Sequence, residues 1–372
     1  MTKKIFISAG ELSGDIHAGR LVKELLVKDE SLGIFANGGD NMLNAGAELL
    51  YHINDISFMG FAEVVKHLPL IKKIFDDTIN LILENQIDLV VLVDYPGFNL
   101  RLAKALHKHN IKVVYYIVPQ IWAWHQSRVK QMKKYVDKAI CILPFEPKWF
   151  VDHCVDAVYA GNPLMDKDFT EQSNKIDGIA EGEKFIGLFP GSRKQELENH
   201  FDVMMDSAQK IHKNHVHLKF VIAMAPGRDF SEYQDKYQFD WLIWKEGQND
   251  TIMQRAEFLI MVSGTASLEA ALIGTPMVII YKTSNITYFL AKKLANIEFI
   301  GLANIIAQKK GIHELIQKDM TADKIFVEVD NLLENPAERK RFEEFYTEVQ
   351  DKIGGSGASQ KTAEIILELL ET

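Results

Sequence analysis

Continuous apolar runs of strand length recur along this chain, and they constrain its fold more than any other feature. Several of these runs lack the alternation of apolar and polar residues that marks a half-solvated strand, so they are typical of strands buried on both faces of a parallel sheet. Segments with helical periodicity, such as 62–84 and 98–109, separate them. The pattern predicts an α/β fold. The runs cover residues 4–8, 87–93, 111–118, 139–143, 185–189, 218–224, 257–262 and 276–281.

The strand–turn–helix pattern begins twice. "KKIFISAG" starts the chain and "KFIGLFPGSR" starts the pattern again near residue 184, with a polar, aperiodic stretch between them at 161–183. A chain of 372 residues is also long for a single hydrophobic core. We therefore predict two Rossmann-like parallel-sheet domains, at 1–163 and 164–345, followed by C-terminal helices at 346–372.

Composition and charge exclude several classes of protein. The net charge of −9 argues against a nucleic-acid partner. Two cysteines make no disulfide framework, and we expect both to be free thiols in a reducing cytoplasm. Residues 258–281 have the length of a membrane span, but Gly264, Gly274 and Pro276 divide them into a predicted strand, helix and strand.

The turn at which the strand–turn–helix pattern begins again, "PGSR" at 190–193, has the chemistry of an anion site. "PGSR" offers backbone amides at the start of a helix, together with Ser192 and Arg193. The guanidinium of Arg193 can bind phosphate oxygens in pairs, so a diphosphate is expected in the second domain. The alternative is an arginine that caps a helix or forms a surface salt bridge.

The turn after the first strand of the chain, "AGELSGDIHAGR", carries acidic residues where the "PGSR" turn carries an arginine. Glu11 and Asp15 repel phosphate but accept hydrogen bonds from sugar hydroxyls, and Ser13 offers a neutral partner. The glycine spacing matches neither a dinucleotide fingerprint nor a P-loop, so NAD and ATP are not expected. The alternative is that Ser13 or Asp15 caps the helix.

Two further strand ends carry candidate residues. In "LIMVSGTASLEAALIG" the residues Ser263, Gly264 and Thr265 can contact a ligand. Glu269 follows on an apolar helix, where a charge needs a partner, either a ribose diol or a structural cation.

Asp94 ends the run "IDLVVLVD". A carboxylate there faces the crevice where α/β proteins bind ligands, and burial would raise its pKa as a general base requires. The alternative for Asp94 is a helix cap.

Apolar and basic residues are interleaved in two segments. Trp122 precedes a helix rich in lysine in "YIVPQIWAWHQSRVKQMKK", and "FMGFAEVVKHLPLIKKIF" at 58–75 is similar in character. This mixture is typical of a protein that binds an anionic lipid substrate at a membrane surface. The alternative is a core tryptophan beside a solvated helix face. The "DKD" at 166–168 lies in a polar linker, so no metal site is expected.

Taken together, the motifs resemble the lipid-A-disaccharide synthase family over nearly the whole chain. The combination of "SGD", "WAW", "PGSR" and "SGTASLE" is specific to it, although each motif alone is not. The motifs occur in the family's order: "AGELSGD", "FMGFAEV", "VDYPGFN", "VPQIWAW", "PFE", "GNPL", "PGSR", "SGTASLEAAL" and "LANII".

The resemblance implies an inverting glycosyltransferase of GT-B architecture, with two Rossmann-like domains facing across a cleft. The reaction would join UDP-2,3-diacylglucosamine to 2,3-diacylglucosamine 1-phosphate, giving the β-1,6-linked lipid A disaccharide 1-phosphate and UDP. It implies no cofactor and no metal, and a location in the cytoplasm, peripheral on the inner membrane of a Gram-negative cell. It is compatible with a homodimer.

The resemblance also implies roles for matching residues. Asp94 is the expected catalytic residue. The expected UDP-binding residues are Ser192, Arg193, Ser263, Gly264, Thr265, Glu269 and Asn304. The expected acceptor or sugar contacts are Glu11, Ser13, Asp15 and Trp122.

The chain departs from the family pattern at two positions. Gly97 stands where family members often have a second aspartate, and Gln120 stands where they have a serine. The alternative functions are a UDP-N-acetylglucosamine 2-epimerase-like enzyme and another GT-B transferase with a lipid acceptor. Incubation with a UDP-sugar alone distinguishes the epimerase, which needs no acceptor.

Overall fold

The computed structural model of the chain describes residues 2–56, 67–123, 126–167, 175–284, 288–289 and 298–372. The whole of the motif "FMGFAEV" at 58–64, together with Trp124 and Asp168, lies outside the described residues. The described chain forms two compact units. The N-terminal unit comprises Met1–Asp166 and Gly354–Thr372, and the C-terminal unit comprises Lys167–Ile353.

The N-terminal unit contains a parallel sheet of seven strands in the order β3-β2-β1-β4-β5-β6-β7. Its central strands are apolar and fully buried, as the continuous runs predicted, because helices cover both faces. The strands are β1 (Lys4–Ala9), β2 (Gly33–Gly38), β3 (Glu48–His52), β4 (Leu89–Val93), β5 (Lys112–Tyr116), β6 (Lys138–Cys141) and β7 (Ala157–Tyr159).

Two apolar clusters lie on the two faces of this sheet. One contains Ile5 and Ile7 of β1, packed with residues of the first and last helices of the chain; the other contains Phe6 and side chains of the helix after β4. The helices of this unit are Leu12–Lys28, Asp40–Ala45, Ile53–Ile56, Leu68–Glu84, Pro96–Leu106, Val129–Tyr135, Glu146–Asp152 and Ala358–Glu371.

The C-terminal unit repeats the plan with six parallel strands in the order β10-β9-β8-β11-β12-β13. These are β8 (Phe185–Phe189), β9 (Lys219–Met224), β10 (Leu242–Glu246), β11 (Phe258–Val262), β12 (Met277–Tyr281) and β13 (His313–Ile316). Its helices are Lys194–Asn214, Ser231–Lys236, Asn249–Arg255, Thr265–Ile273, Leu302–Ala307, Ala322–Glu334 and Pro336–Ile353. The prediction of two Rossmann-like parallel-sheet domains is confirmed.

The last two helices belong to different units. The helix Pro336–Ile353 lies in the C-terminal unit, whereas Ala358–Glu371 packs with the N-terminal unit. Asp166 holds that last helix in place, because its carboxylate accepts hydrogen bonds from the amides of Gly357, Ala358 and Ser359 at 2.6, 3.0 and 2.8 Å. The first residue of "DKD" therefore caps a helix.

The stretch 258–281 forms the strand, helix and strand that its glycines predicted. Among the described residues, no helix is long and apolar enough to cross a membrane. Cys141 is buried and Cys154 exposed, and both are free thiols.

Candidate functional site

All of the predicted site residues except Trp122 and Asn304 follow the strands at which the strand order of each sheet reverses. In the N-terminal unit this point lies between β1 and β4, and in the C-terminal unit between β8 and β11. Ala9 pairs with Val93, so Gly10 and Asp94 leave the sheet at the same level. Ligands of open α/β sheets bind at the carboxyl ends of the strands at such switch points.

Asp94 lies in a turn with an unusual backbone. Asp94 and Tyr95 both adopt left-handed conformations, with φ of 46° and 48°. Two successive non-glycine residues in this region cost about 1–3 kcal/mol each, so the surroundings must hold them there. Asn99 and Tyr115 do so, since the Asn99 amide and the Tyr115 hydroxyl donate to the Asp94 carbonyl oxygen at 2.8 and 2.6 Å.

Asn99 is fixed from the opposite side of the turn. It is fully buried, and its side-chain oxygen accepts a hydrogen bond from the Ser8 hydroxyl of β1 at 2.8 Å. Its amide also contacts the carbonyl oxygens of Ser8 and Val93 at 3.3 and 3.2 Å. The asparagine of "VDYPGFN" thus joins β1, β4 and the Asp94 turn into one rigid arrangement.

The surroundings of Asp94 favour its protonated form. Burial, with a contribution from the negative charge of Glu11, raises the pKa of Asp94 to about 6. A carboxyl with a pKa near neutrality can accept a proton from an alcohol and later release it. The structure therefore gives Asp94 the electrostatic properties expected of a general base.

Gly10 lets the two loops of this switch point approach each other. A Cβ at Gly10 would overlap the Tyr95 ring, so any larger residue would displace the Asp94 turn. By contrast, Gly97 faces open space, and a Cβ there would meet no atom within 4 Å. The absence of a second aspartate at position 97 is therefore not a consequence of crowding.

The acidic residues of the first loop have different surroundings. Glu11 precedes the helix Leu12–Lys28 and is half-buried, and Ser13 is exposed. Asp15 is fully buried, and its two oxygens accept four hydrogen bonds, from the Gly39, Asn41 and Met42 amides and the Asn41 side chain. These four bonds use all the accepting positions of a carboxylate.

The prediction that Asp15 contacts a sugar is therefore corrected, because its carboxylate has no accepting position left for a ligand. Its carboxylate caps the N-terminus of Asp40–Ala45, a helix other than its own, so the capping alternative describes it better. The N-cap residue of the helix Leu12–Lys28 is Glu11, whose side chain makes no capping hydrogen bond.

Trp122 is also a core residue in this structure. It is 7% exposed, and its indole N–H donates to Glu146 Oε1 at 3.0 Å. The other oxygen of Glu146 accepts from the amides of Ile142 and Leu143 at 3.3 and 3.0 Å. Burial raises the pKa of Glu146 to about 7. These contacts fit the alternative of a core tryptophan better than the predicted contact with the acceptor.

The "PGSR" loop already binds a carboxylate of the chain itself. Glu196 Oε2 accepts hydrogen bonds from the Ser192 and Arg193 amides at 3.0 and 3.2 Å, and Arg193 Nη1 lies 3.3 Å from Glu196 Oε1. The Arg193 side chain is 63% exposed. The loop has the geometry of an anion site, and the predicted diphosphate would have to replace Glu196 at these amides.

The loop after β11 presents mostly backbone and hydroxyl groups. Gly264 and Thr265 are exposed, and the Ser263 hydroxyl donates to the Ile300 carbonyl oxygen at 3.0 Å. Glu269 lies 3.3 Å from the ammonium group of Lys167, which also contacts Asp250 at 2.6 Å. The structural cation that sequence reasoning left open for Glu269 is thus Lys167.

The prediction that Asn304 binds UDP is also corrected. Asn304 is fully buried, its amide donates to the Ile312 carbonyl and to Glu314 Oε1, and its oxygen accepts from the Gly311 and Ile312 amides. An asparagine with all four hydrogen bonds made inside the protein has none left for a nucleotide. Asn304 therefore holds the turn before β13, rather than UDP.

Sequence reasoning missed three residues around these loops. Glu196 follows Arg193 by three positions, a spacing typical of a capping box, and this signal was readable. Arg228 belongs to the Pro-Gly turn after β9, and its Nε donates to the Ser192 carbonyl oxygen at 2.7 Å. Lys167 gave no signal, because its partners lie more than 80 residues away in sequence.

Comparison with known proteins gives a consistent result. A family model described as lipid-A-disaccharide synthetase matches residues 5–368. The lipid-A-disaccharide synthase of Geobacter sulfurreducens is 36% identical over 374 residues, covering 99% of this chain and 97% of that protein. That of Trichlorobacter lovleyi is 37% identical over 376 residues, covering 99% and 98%.

Solved structures share the fold at low sequence identity. A putative UDP-N-acetylglucosamine 2-epimerase from Listeria monocytogenes matches with a TM-score of 0.70 and 12% identity, covering 100% of this chain and 97% of that one. At this identity the similarity concerns the two-domain α/β fold alone.

Proposed function

The chain belongs to the lipid-A-disaccharide synthase family, and on that premise we propose how it carries out its glycosyl transfer. The donor is UDP-2,3-diacylglucosamine and the acceptor is 2,3-diacylglucosamine 1-phosphate. The products are the β-1,6-linked disaccharide 1-phosphate and UDP. The observation that carries the assignment of the base is Asp94, held in a strained turn at the switch point of the N-terminal unit with a raised pKa.

The reaction is a single displacement. The 6-hydroxyl oxygen of the acceptor forms a bond to C1 of the donor sugar, and the bond from C1 to the β-phosphate oxygen breaks with its electron pair leaving on UDP. Attack from the face opposite UDP inverts the configuration at C1. Asp94 takes the proton of the hydroxyl, and Glu11 and Ser13 accept hydrogen bonds from sugar hydroxyls.

The C-terminal unit binds the leaving group in this scheme. Ser192 and Arg193 receive the diphosphate, and their amides and guanidinium stabilise the charge that builds on departing UDP. Ser263, Gly264 and Thr265 contact the nucleotide through backbone and hydroxyl groups. Glu269 accepts from the ribose while Lys167 holds its carboxylate.

A peripheral position on anionic membrane is part of the proposal. Leu12 and Leu68 are 58% and 50% exposed, and Leu70 is exposed beside Lys72. The helix Val129–Tyr135 adds exposed lysines at 130, 133 and 134. Sedimentation with phosphatidylglycerol vesicles should be lost when these three lysines are replaced by alanine, and equal binding to neutral phosphatidylcholine vesicles would contradict an electrostatic contribution.

The function is tested by UDP release from the donor with and without the acceptor. We expect release that depends on the acceptor and a disaccharide product of inverted configuration. An Asp94→Asn variant should lower kcat by ~10²–10⁴ while UDP still binds, whereas Arg193→Ala should weaken UDP binding directly. Unchanged kcat in Asp94→Asn would remove Asp94 from the role of base.

The same assay separates the alternative activity. An epimerase changes the sugar of UDP-N-acetylglucosamine with no acceptor present. Sugar interconversion without an acceptor, and no acceptor-dependent UDP release, would favour that alternative over transfer.

A further inference from the structure

The anion site of the C-terminal unit contains more basic groups than sequence reasoning found. It begins with the Ser192 and Arg193 amides, which hold the Glu196 carboxylate. Gly191 makes this contact close, because it has φ of +101° and a Cβ there would lie 2.5 Å from Glu196 Oε2. The loop is thus shaped to bring negatively charged oxygen atoms directly against its backbone.

Arg228 reaches the same loop from a different connection. It follows β9, whereas the loop follows β8, and these two strands are neighbours in the sheet. Its Nε donates to the Ser192 carbonyl oxygen at 2.7 Å, which fixes the guanidinium beside the loop while the residue stays exposed. Within the described chain this is the only side-chain hydrogen bond of Arg228, so the fork retains further donors for a ligand.

The loop offers cationic hydrogen-bond donors to an incoming anion. The Arg193 guanidinium contacts Glu196 and the Arg228 guanidinium contacts the loop backbone, while the loop amides bind the Glu196 carboxylate. A second carboxylate, that of Glu246, accepts from the Gly227 amide at 3.3 Å, beside Arg228. A diphosphate carries more negative charge and more acceptor oxygens than a carboxylate, and guanidinium groups bind such oxygens in pairs. Exchange of the carboxylate for a diphosphate would therefore add charge-assisted hydrogen bonds at the loop.

We propose that Arg228 is a second phosphate-binding arginine and that Glu196 is an internal anion which the diphosphate of the donor displaces. Arg228 and Arg193 then bind the diphosphate from two sides of the loop. Glu196 competes for the same amides, which lowers the affinity for UDP and favours its release after transfer. The proposal rests on the proposed function, since it takes a UDP-sugar as the ligand.

The test is the dissociation constant of UDP, with uridine as a probe that has the base and ribose but no phosphate. Arg228→Met should weaken UDP binding about tenfold or more, because it removes charge-assisted hydrogen bonds. Uridine binding should be unchanged, which also shows that the variant is folded. Arg228→Lys should restore part of the UDP affinity. The matched control is Arg339→Met, an exposed arginine of the same unit whose side chain contacts Glu257.

Glu196→Gln gives an effect of opposite sign. The glutamine oxygen can still accept from the loop amides, but without charge it competes less well, so UDP should bind about threefold to tenfold more tightly. A UDP affinity of Arg228→Met within twofold of Arg339→Met, or weaker UDP binding in Glu196→Gln, would overturn the assignment while leaving the proposed function standing. No UDP binding by the unaltered protein would overturn both.

Discussion

At the level of single residues, Asp94 owes its properties to neighbours rather than to its own position in the sequence. Its backbone is held in a left-handed turn by Asn99 and Tyr115, and its pKa is raised by burial and by Glu11. A carboxyl that only capped a helix would gain nothing from a raised pKa, because a cap works as an anion. The left-handed turn and the raised pKa of Asp94 together favour proton transfer over helix capping.

The raised pKa predicts the pH dependence of the reaction. A base must be deprotonated to accept a proton, so kcat/KM should fall about tenfold per pH unit below the pKa and level off above it, with a midpoint near pH 6. Glu11→Gln removes a neighbouring negative charge and should shift the midpoint to lower pH. Steady-state kinetics between pH 4.5 and 8 measure this, and a flat profile in the unaltered protein would contradict it.

Asp15 is predicted to matter for stability rather than for the acceptor. Asp15→Ala leaves the buried amides at the start of Asp40–Ala45 without their acceptor and should lower the free energy of unfolding by about 3 kcal/mol. Urea unfolding checks this, with the exposed Ser13→Ala as the control that should change stability little. Normal stability in Asp15→Ala with a raised acceptor KM would return Asp15 to the sugar-binding set.

At the level of elements, each switch point joins two strand–helix connections. In the N-terminal unit the loops after β1 and β4 meet where the Tyr95 ring covers Gly10. In the C-terminal unit Met261 of β11 pairs with Phe189 of β8, so the loops that follow these strands leave the sheet together. Sites of this kind depend on contact between loops as well as on the residues within each loop.

The contact between Gly10 and Tyr95 can be tested by a double-mutant cycle. Gly10→Ala should displace the Asp94 turn and lower kcat at least tenfold, because the added methyl group overlaps the ring. Tyr95→Ala removes the ring, so the double variant should recover part of the activity that Gly10→Ala loses. Gly14→Ala, in the helix that follows Gly10, is the control, since the nearest atom to its added Cβ would lie 3.4 Å away. Equal loss in the single and double variants would contradict the contact.

The elements were predictable from the sequence to a greater degree than the site. Continuous apolar runs identified most central strands, because burial on both faces leaves a strong local signal. The strands β2, β3 and β13 contain polar or half-buried residues and have no continuous apolar run to identify them. Asp15 and Trp122 form hydrogen bonds with residues 24 or more positions away, and Asn304 forms its bonds within a turn whose conformation no periodicity predicts. The motifs alone therefore assign each residue to a ligand, although the protein itself satisfies it.

The resemblance of motifs went further than periodicity could. It identified the family, which the comparisons confirm over residues 5–368. It did not identify which motif residues serve the fold. "LAN" supplies Asn304 to a turn, and "PFE" supplies Glu146 to Trp122. A set of motifs therefore identifies a family more reliably than it assigns a role to each of its residues.

At the level of the whole molecule, the chain passes from one unit to the other twice. It enters the C-terminal unit after Asp166 and returns after Ile353. Asp166 bonds to the N-terminus of the last helix in the N-terminal unit, and the adjacent Lys167 pairs with Asp250 in the C-terminal unit. Each unit has its own sheet and its own switch point, and we propose that the N-terminal unit binds the acceptor while the C-terminal unit binds the UDP leaving group.

The structure of the protein with bound UDP tests that division most directly. We expect the diphosphate at the Ser192 and Arg193 amides, with the Glu196 carboxylate moved away and the Arg228 guanidinium in contact with phosphate oxygens. A nucleotide whose diphosphate lay beside Gly10 and Ser13, with Glu196 still bound to the Ser192 amide, would contradict it.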